Sequence, residues 1–253
     1  KEVVARAIHE ESSRSQKPFI AINCGAIAES LLQSELFGHI EGSYTGASKD
    51  HQGIFLEAGD GTVFLDEIGD ISPALQVALL RVLENNEIRP VGGSKALPIQ
   101  CQILAATNVN LENLVENKLF RKDLYYRLNR LTISILPLRE RTLDIIPLAN
   151  YFLKSYRNTF EAPILSEDLK KALIQFPWPG NIRQLKNEIL KMDLMQSRKV
   201  FYELKDCEFL ISSAQEIDVK KKPIEKIKPS TEVAAANLSS SRHRLLVIKK
   251  LFR

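Results

Sequence analysis

The sequence predicts an α/β fold: a parallel β-sheet covered by helices on both faces, followed by a smaller subdomain made of helices alone. Three observations lead there. Short apolar runs alternate with amphipathic helical segments over residues 1–142, the signature of strand–helix–strand crossovers. From about Leu143 to about Leu210 only helical periodicity remains. Apolar residues make up 44% of the 253, enough to build the core of one large domain or two smaller ones.

The elements follow in order. Val3, Val4, Ala7 and Ile8 recur at helical spacing, so the chain opens in an amphipathic helix, which Lys17-Pro18 ends. FIAIN (19–23) reads as a strand and SLLQSELF (30–37) as a helix. FGHIEGSYTGASKDHQG (37–53) reads as a loop, with Gly42 and Gly46 freeing the backbone on either side of Ser43, Tyr44 and Thr45. An aromatic side chain at the tip of such a loop needs a reason, because aromatics usually go inside. GTVFLDE is a turn and a buried strand, and ALQVALLRVLEN (74–85) a strong amphipathic helix with Pro73 at its start. EIRPVGGSKALPIQ predicts a hairpin turning at Gly92-Gly93, CQILAATN (101–108) another buried strand, and LTISI (131–135) the last strand before Pro137. Three helices follow, LDIIPLANYFLKSY, SEDLKKALIQF and NIRQLKNEILKMDLM, with Ser166 as N-cap of the second. Residues 212–240, rich in Ser, Lys and Pro, read as a linker; RHRLLVIKKLFR, within 241–253, reads as the start of a basic amphipathic helix.

Composition excludes several classes. No run approaches the ~18 apolar residues of a membrane span and no signal peptide is visible, so a cytoplasmic protein is expected, with no membrane partner. Cys24, Cys101 and Cys207 lie far apart, without C-x-x-C spacing, and read as buried thiols of a reducing compartment. Four scattered histidines give no zinc pattern. The net charge of +4 decides little; much of the excess lies in the tail, where KKKP and RHR suit either a solvated linker or contact with a polyanion.

Several short stretches carry chemistry. VFLDE (63–67) ends a buried strand in two acids: Asp66 could serve a Mg²⁺ ion, usually through water, and Glu67 could orient and deprotonate an attacking water, although a solvated turn has the same letters. Such a pair needs a phosphate cradle. In the P-loop pattern G-x-x-x-x-G-K-[ST] the lysine heads a helix; Lys1 does so here, with no glycine loop before it. Thr107 and Asn108 close the next core strand and could hold a γ-phosphate or the attacking water, or cap the following helix. Arg121 and Arg127, six apart, do not share a helical face, which suits either surface charge or arginines supplied to a neighbouring subunit's phosphate. Arg183 sits in the first turns of a helix, where a cation is disfavoured by the dipole unless it faces a ligand or simply solvent.

Together these segments resemble the AAA+ domain of sigma-54-dependent transcriptional activators, the bacterial enhancer-binding proteins. The resemblance runs in family order from Lys1 to about Leu210 through KEVVARAIH, FIAINC, LLQSELFGH, GSYTGA, GTVFLDEIGD, LQVALLRVLE, FRKDLYYRLN, LPLRER and WPGNIRQLKN. It implies an AAA+ P-loop αβα sandwich with a parallel sheet over 1–142, a helical lid over 143–211, and ATP with Mg²⁺ as cofactors. By resemblance, Lys1 is the Walker A lysine and Glu2 stands where other P-loops carry Ser or Thr. Asp66, holding Mg²⁺, and Glu67 are the Walker B acids. Asn23 matches the asparagine that restrains the catalytic glutamate; Thr107 and Asn108 match sensor I, Arg121 and Arg127 the trans-acting arginines, and Arg183 sensor II. GSYTGA, Gly42, Ser43, Tyr44, Thr45, Gly46 and Ala47, resembles GAFTGA, the loop that touches sigma-54. The resemblance thus implies an ATP-hydrolysing activator, working as a homo-oligomeric ring, usually a hexamer, that remodels sigma-54 RNA polymerase holoenzyme from closed to open promoter complex. Enhancer DNA would be bound through a C-terminal Fis-type helix-turn-helix domain, whose first helix 241–253 resembles.

Three departures accompany this. Ser43 and Tyr44 replace Ala and Phe of the signature, and Ile40-Glu41 stands where the family usually has an acid at the first of these positions. The P-loop glycines are missing, which is expected of a fragment of a longer protein. Control by phosphorylation, as in a two-component system, by a small ligand or by a partner stays open. A catalytically inactive, DNA-bound regulator that keeps the AAA+ fold is the alternative reading; an unfoldase or clamp loader would lack the GSYTGA arm.

Overall fold

The computed structural model describes residues 1–159, 163–211 and 244–249. They divide into two compact units, one made of Lys1–Ile135 together with the 244–249 strand, the other starting at Leu136.

The first unit opens with helix α1 (Glu2–Glu10), whose N-cap is Lys1, then strand β1 (Phe19–Asn23) and helix α2 (Glu29–Phe37). A one-turn helix α3 (Ile54–Glu57) precedes strand β2 (Thr62–Asp66). Helix α4 (Pro73–Asn85) has Pro73 in its first turn, where a missing N–H costs nothing, and Ser72 accepts from the Leu75 N–H as its N-cap. The hairpin β3 (Glu87–Ile88) and β4 (Leu97–Pro98) turns through Gly92, which has φ +78°. Strand β5 (Gln102–Thr107), helices α5 (Leu111–Glu116) and α6 (Lys122–Leu128), and strand β6 (Leu131–Ile135) complete the unit.

β1, β2 and β5 pair in parallel in that order, with Asn23 opposite Asp66 and Leu65 opposite Ala105. β2 and β5 are buried almost throughout. That is why they read as continuous apolar runs and not as alternating ones. One face packs Val63, Leu65, Ile103 and Ala105 against Leu75, Leu79, Leu83 and Leu124. The other packs Phe64, Leu104 and Ala106 against Ala5 of α1. Helices on both faces of a parallel sheet are what the alternation of segments predicted.

One expectation is corrected here. Residues 244–249 form not a helix but a strand, β9 (Arg244–Lys249), antiparallel to β5 on one side and to β6 on the other. The sheet order is therefore β1-β2-β5-β9-β6. The backbone groups of β5 and β6 facing this slot need ladder partners, and Leu245-Leu246-Val247-Ile248 is a short apolar run that suits a strand as well as a helix. The remainder of 241–253, and the linker expected over 212–240, lie outside the described residues.

The second unit contains helix α7 (Ile145–Arg157), a two-residue strand β7 (Ile164–Leu165), helices α8 (Glu167–Gln175) and α9 (Asn181–Met195), and strand β8 (Phe201–Tyr202), parallel to β7. Ser166 caps α8 by accepting from the Leu169 N–H, as expected. Its core gathers Ile145, Leu153, Leu169, Leu173, Leu185 and Ile189 around a fully buried Trp178, whose indole N–H donates to the Leu173 carbonyl at 2.8 Å. Asp193 is buried and accepts from Tyr202 at 2.6 Å and from Arg157.

Candidate functional site

The carboxyl ends of β1, β2 and β5 place Asn23, Asp66 and Thr107 along one edge of the sheet. Crevices at this edge are where open α/β sheets bind ligands. Lys1, at the head of α1, reaches across to this edge: its Nζ lies 3.3 Å from Asp66 Oδ1, with the lysine side chain 8% exposed and the aspartate 28%. The same Asp66 oxygen accepts from the Glu67 N–H at 2.9 Å. A buried lysine needs a counter-charge, and Asp66 supplies it.

Glu67 has a left-handed backbone (φ 57°, ψ 43°) just past the end of β2. A non-glycine residue there stores strain, which accumulates at functional sites. Asn23 turns its Oδ1 to the Gly25 N–H at 2.9 Å. A Cβ on Gly25 would sit 2.9 Å from Glu67 Oε2, 3.1 Å from Asp70 Oδ2 and 3.6 Å from Asn23 Oδ1, so these three side chains converge beside Gly25. Behind them lies Cys24, whose thiol is pushed up to about 12 by burial and then by the charges of Asp66, Asp70 and Glu67. The thiol is therefore protonated and inert, a filler and not a nucleophile. All three cysteines are free and buried.

Thr107 is fully buried, and its hydroxyl is engaged by the turn that follows: it accepts from the Val109 N–H at 3.1 Å and lies 3.3 Å from the Val109 carbonyl. Asn110, not Asn108, caps α5. Asn108 Oδ1 is buried with no hydrogen-bond partner, and so is Arg127 Nε on α6. Arg121 is exposed at the N-terminus of α6 and holds Asp123 with two bonds, Nε to Oδ1 at 3.0 Å and Nη2 to Oδ2 at 2.6 Å. Neither arginine hydrogen-bonds or ion-pairs with the Lys1–Asp66–Glu67 group among the described contacts. Glu2 faces outward and pairs with Arg6 at 2.7 Å, away from that group. Arg183 is exposed on α9 in the second unit.

Sequence reasoning missed Gln76. It is buried in α4; its amide nitrogen donates to the Ile71 and Leu119 carbonyls at 3.1 and 3.0 Å, and its oxygen accepts from the Arg121 N–H at 2.8 Å. One side chain thus anchors the backbone that presents Arg121. The available signal was a lone amide within the apolar run ALQVALLRVLEN.

The loop is folded against the body of the unit. His39 and His51 exchange backbone bonds of 2.9 Å, closing its base, and Ile40 and Gly38 bond to Val91 of the hairpin turn. Gly42 (φ 77°) and Gly46 (φ 111°) permit the tight tip, which closes on itself through a Gly42 N–H to Ala47 O bond of 2.9 Å. Tyr44 is 39% exposed; its ring meets His39 edge-on at 5.1 Å, and its hydroxyl donates to Ser34 at 3.5 Å. The tip aromatic is thus half-stowed, not projecting.

Among the described residues there is no cluster of three or more His, Cys, Asp or Glu able to hold a metal ion, and no helix long and apolar enough to cross a membrane. A Mg²⁺ ion shared with phosphates needs only one or two protein carboxylates, so Asp66 beside a buried lysine fits such an ion without a protein cage. The unpartnered Asn108 oxygen is a further polar group suited to phosphate-bound water.

An acid pair at a strand end beside a lysine at a helix head is the arrangement expected of a nucleotide-type α/β site. Residues 1–134 match the family model described as the sigma-54 interaction domain, and residues 139–224 match the AAA+ ATPase lid domain. The chain belongs to the sigma-54 interaction domain family, with the AAA+ fold that the motifs implied. It is 50% identical over 191 residues to the sigma-54-dependent transcriptional activator SfnR of Pseudomonas putida, covering 75% of this chain and 52% of that protein. It is 49% identical over 199 residues to the hydrogenase transcriptional regulatory protein HoxA of Cupriavidus necator, covering 78% and 41%. Among solved structures, NtrX of Brucella abortus matches with a TM-score of 0.70 at 33% identity, covering 77% of this chain and 44% of that one. NtrX in complex with ATP matches with 0.69 at 32% identity, covering 77% and 44%. The chain therefore spans about half or less of these relatives' lengths.

Proposed function

We propose that this chain is the ATP-hydrolysing motor of a sigma-54-dependent transcriptional activator, which converts RNA polymerase from a closed to an open promoter complex. The observation that carries the reading is Lys1 Nζ at 3.3 Å from Asp66 Oδ1, with the strained Glu67 next in the chain. The names of the relatives and the ATP-bound NtrX structure support it.

In this reading Lys1 neutralises the β- and γ-phosphates of the substrate ATP, and Asp66 would hold Mg²⁺, which would supply charge neutralisation when bound. Glu67 accepts the proton of the attacking water. Asn23 lies beside Glu67 and restrains its carboxylate until the subunit is triggered. Asn108 orients water or the γ-phosphate, while Thr107 supports the turn that carries it. Arg121 and Arg127 act on a neighbouring protomer's ATP, in a ring of copies of this chain, and Arg183, the sensor II match, is a nucleotide-binding residue. Residues 42–47 contact sigma-54, and enhancer DNA is held by another part of the whole protein, in the cytoplasm.

The test is open-complex formation at a sigma-54 promoter by the full-length protein. Arg121→Ala should abolish it, the missing arginine being worth about 10³–10⁵ in rate. Activity should return in part when Arg121→Ala subunits are mixed with Glu67→Gln subunits, because some interfaces then carry both lesions and others pair an intact Glu67 with an intact Arg121. Mixed rings no more active than either parent contradict action across the interface.

A further inference from the structure

Ser43 and Tyr44 sit side by side at the loop tip, yet their hydroxyls are in opposite situations. Tyr44 O–H donates to Ser34 Oγ at 3.5 Å, the outer limit of hydrogen bonding, and Ser34 Oγ is bonded to His39 Nδ1 at 2.6 Å. A chain of hydroxyls therefore runs from the tip to α2 and back to the loop base, under a tyrosine ring packed edge-on against His39. Ser43 Oγ, by contrast, is buried with no partner. It is buried because Ser43 lies on the backbone of the β3–β4 turn: a Cβ on Gly92 would fall 2.6 Å from Ser43 Cβ, so only glycine allows that approach. Ile40 packs on the next residue of the same turn, 3.1 Å from a Cβ built on Gly93.

We propose that these two hydroxyls set the resting position of the loop in opposite senses. The Tyr44–Ser34–His39 chain latches the tip down. The Ser43 hydroxyl, stripped of water in the stowed position and rehydrated when the tip lifts, works against the latch. The stowed state is thereby held by one contact and loaded by another, which keeps two positions close in free energy. The functional weight of this device rests on the reading that residues 42–47 are the partner-binding tip.

Hydrogen–deuterium exchange of the peptide spanning residues 39–48, in the nucleotide-free full-length protein, reads the balance without any partner. Tyr44→Phe keeps the ring and removes the latch hydroxyl; exchange is expected to quicken about threefold, in line with one net hydrogen bond. Ser43→Ala removes the unsatisfied group; exchange is expected to slow about tenfold. Both variants are small changes on an exposed loop, and unchanged exchange in the core strands confirms folding. Shifts of the same sign in both variants, or no shift in either, overturn the proposal. Opposed shifts support it even where sigma-54 capture is unaltered; in that event the latch stands and it is the partner assignment that falls.

Discussion

At the scale of single residues, several candidate groups are held where they would not rest by themselves. Lys1 is buried against Asp66, Glu67 is left-handed, and Arg121 is presented by a backbone pinned through Gln76. Gln76 offers the sharpest residue-level prediction. Gln76→Leu keeps the volume but strands the Ile71 and Leu119 carbonyls and the Arg121 N–H. Stability should fall by about 1–3 kcal/mol, as a lower denaturant midpoint. Activity should fall further than that loss explains, because the arginine is no longer anchored. That the acids Asp66 and Glu67 end a buried strand was legible in the sequence, because VFLDE is local; Lys1 and Asn23 took their roles only from the resemblance, and the structure places Lys1 beside Asp66 and Asn23 beside Glu67. Gln76 was not legible, because its three partners lie five to forty-five residues away.

At the scale of elements, the strands and long helices were legible wherever burial imposes a period or an unbroken apolar run. α4 carried its own start signal in Pro73, and α8 in Ser166, whereas the Ser72 cap of α4 came to light only in the structure. Ser166→Ala should cost about 1 kcal/mol, read as a shift in the unfolding midpoint of the second unit, while Ser34→Ala, which caps nothing, leaves that transition in place. The short elements were not legible. α3 and α5 span four and six residues, and β7 and β8 two each, too few to show a period. β9 failed for another reason: Leu245-Leu246-Val247-Ile248 suits a strand or a buried helix equally, and the slot between β5 and β6 decides it.

At the scale of the whole molecule, both units bury thiols that are harder to ionise than usual. Burial raises Cys24 and Cys101 to about 12 and Cys207 to about 11, from an ordinary 9.0. Desolvation likewise lifts Tyr125 and Tyr202 to about 12. A raised folded-state value means the neutral form stabilises the fold. That contribution is whole below about pH 9 and is lost as the pH climbs from there toward 11–12. The thermal midpoint should therefore hold between pH 7 and 8.5 and drop at pH 10.5. Replacing the three cysteines by alanine should shrink the drop.

The central claim is that Lys1, Asp66 and Glu67 form one site that binds and cleaves ATP. It is tested most directly by measuring ATP binding and ATP turnover in parallel on full-length protein carrying Glu67→Gln. Loss of a positioned general base predicts turnover reduced about 10²–10⁴-fold with binding retained. Turnover at the unmodified rate, with binding intact, would contradict it.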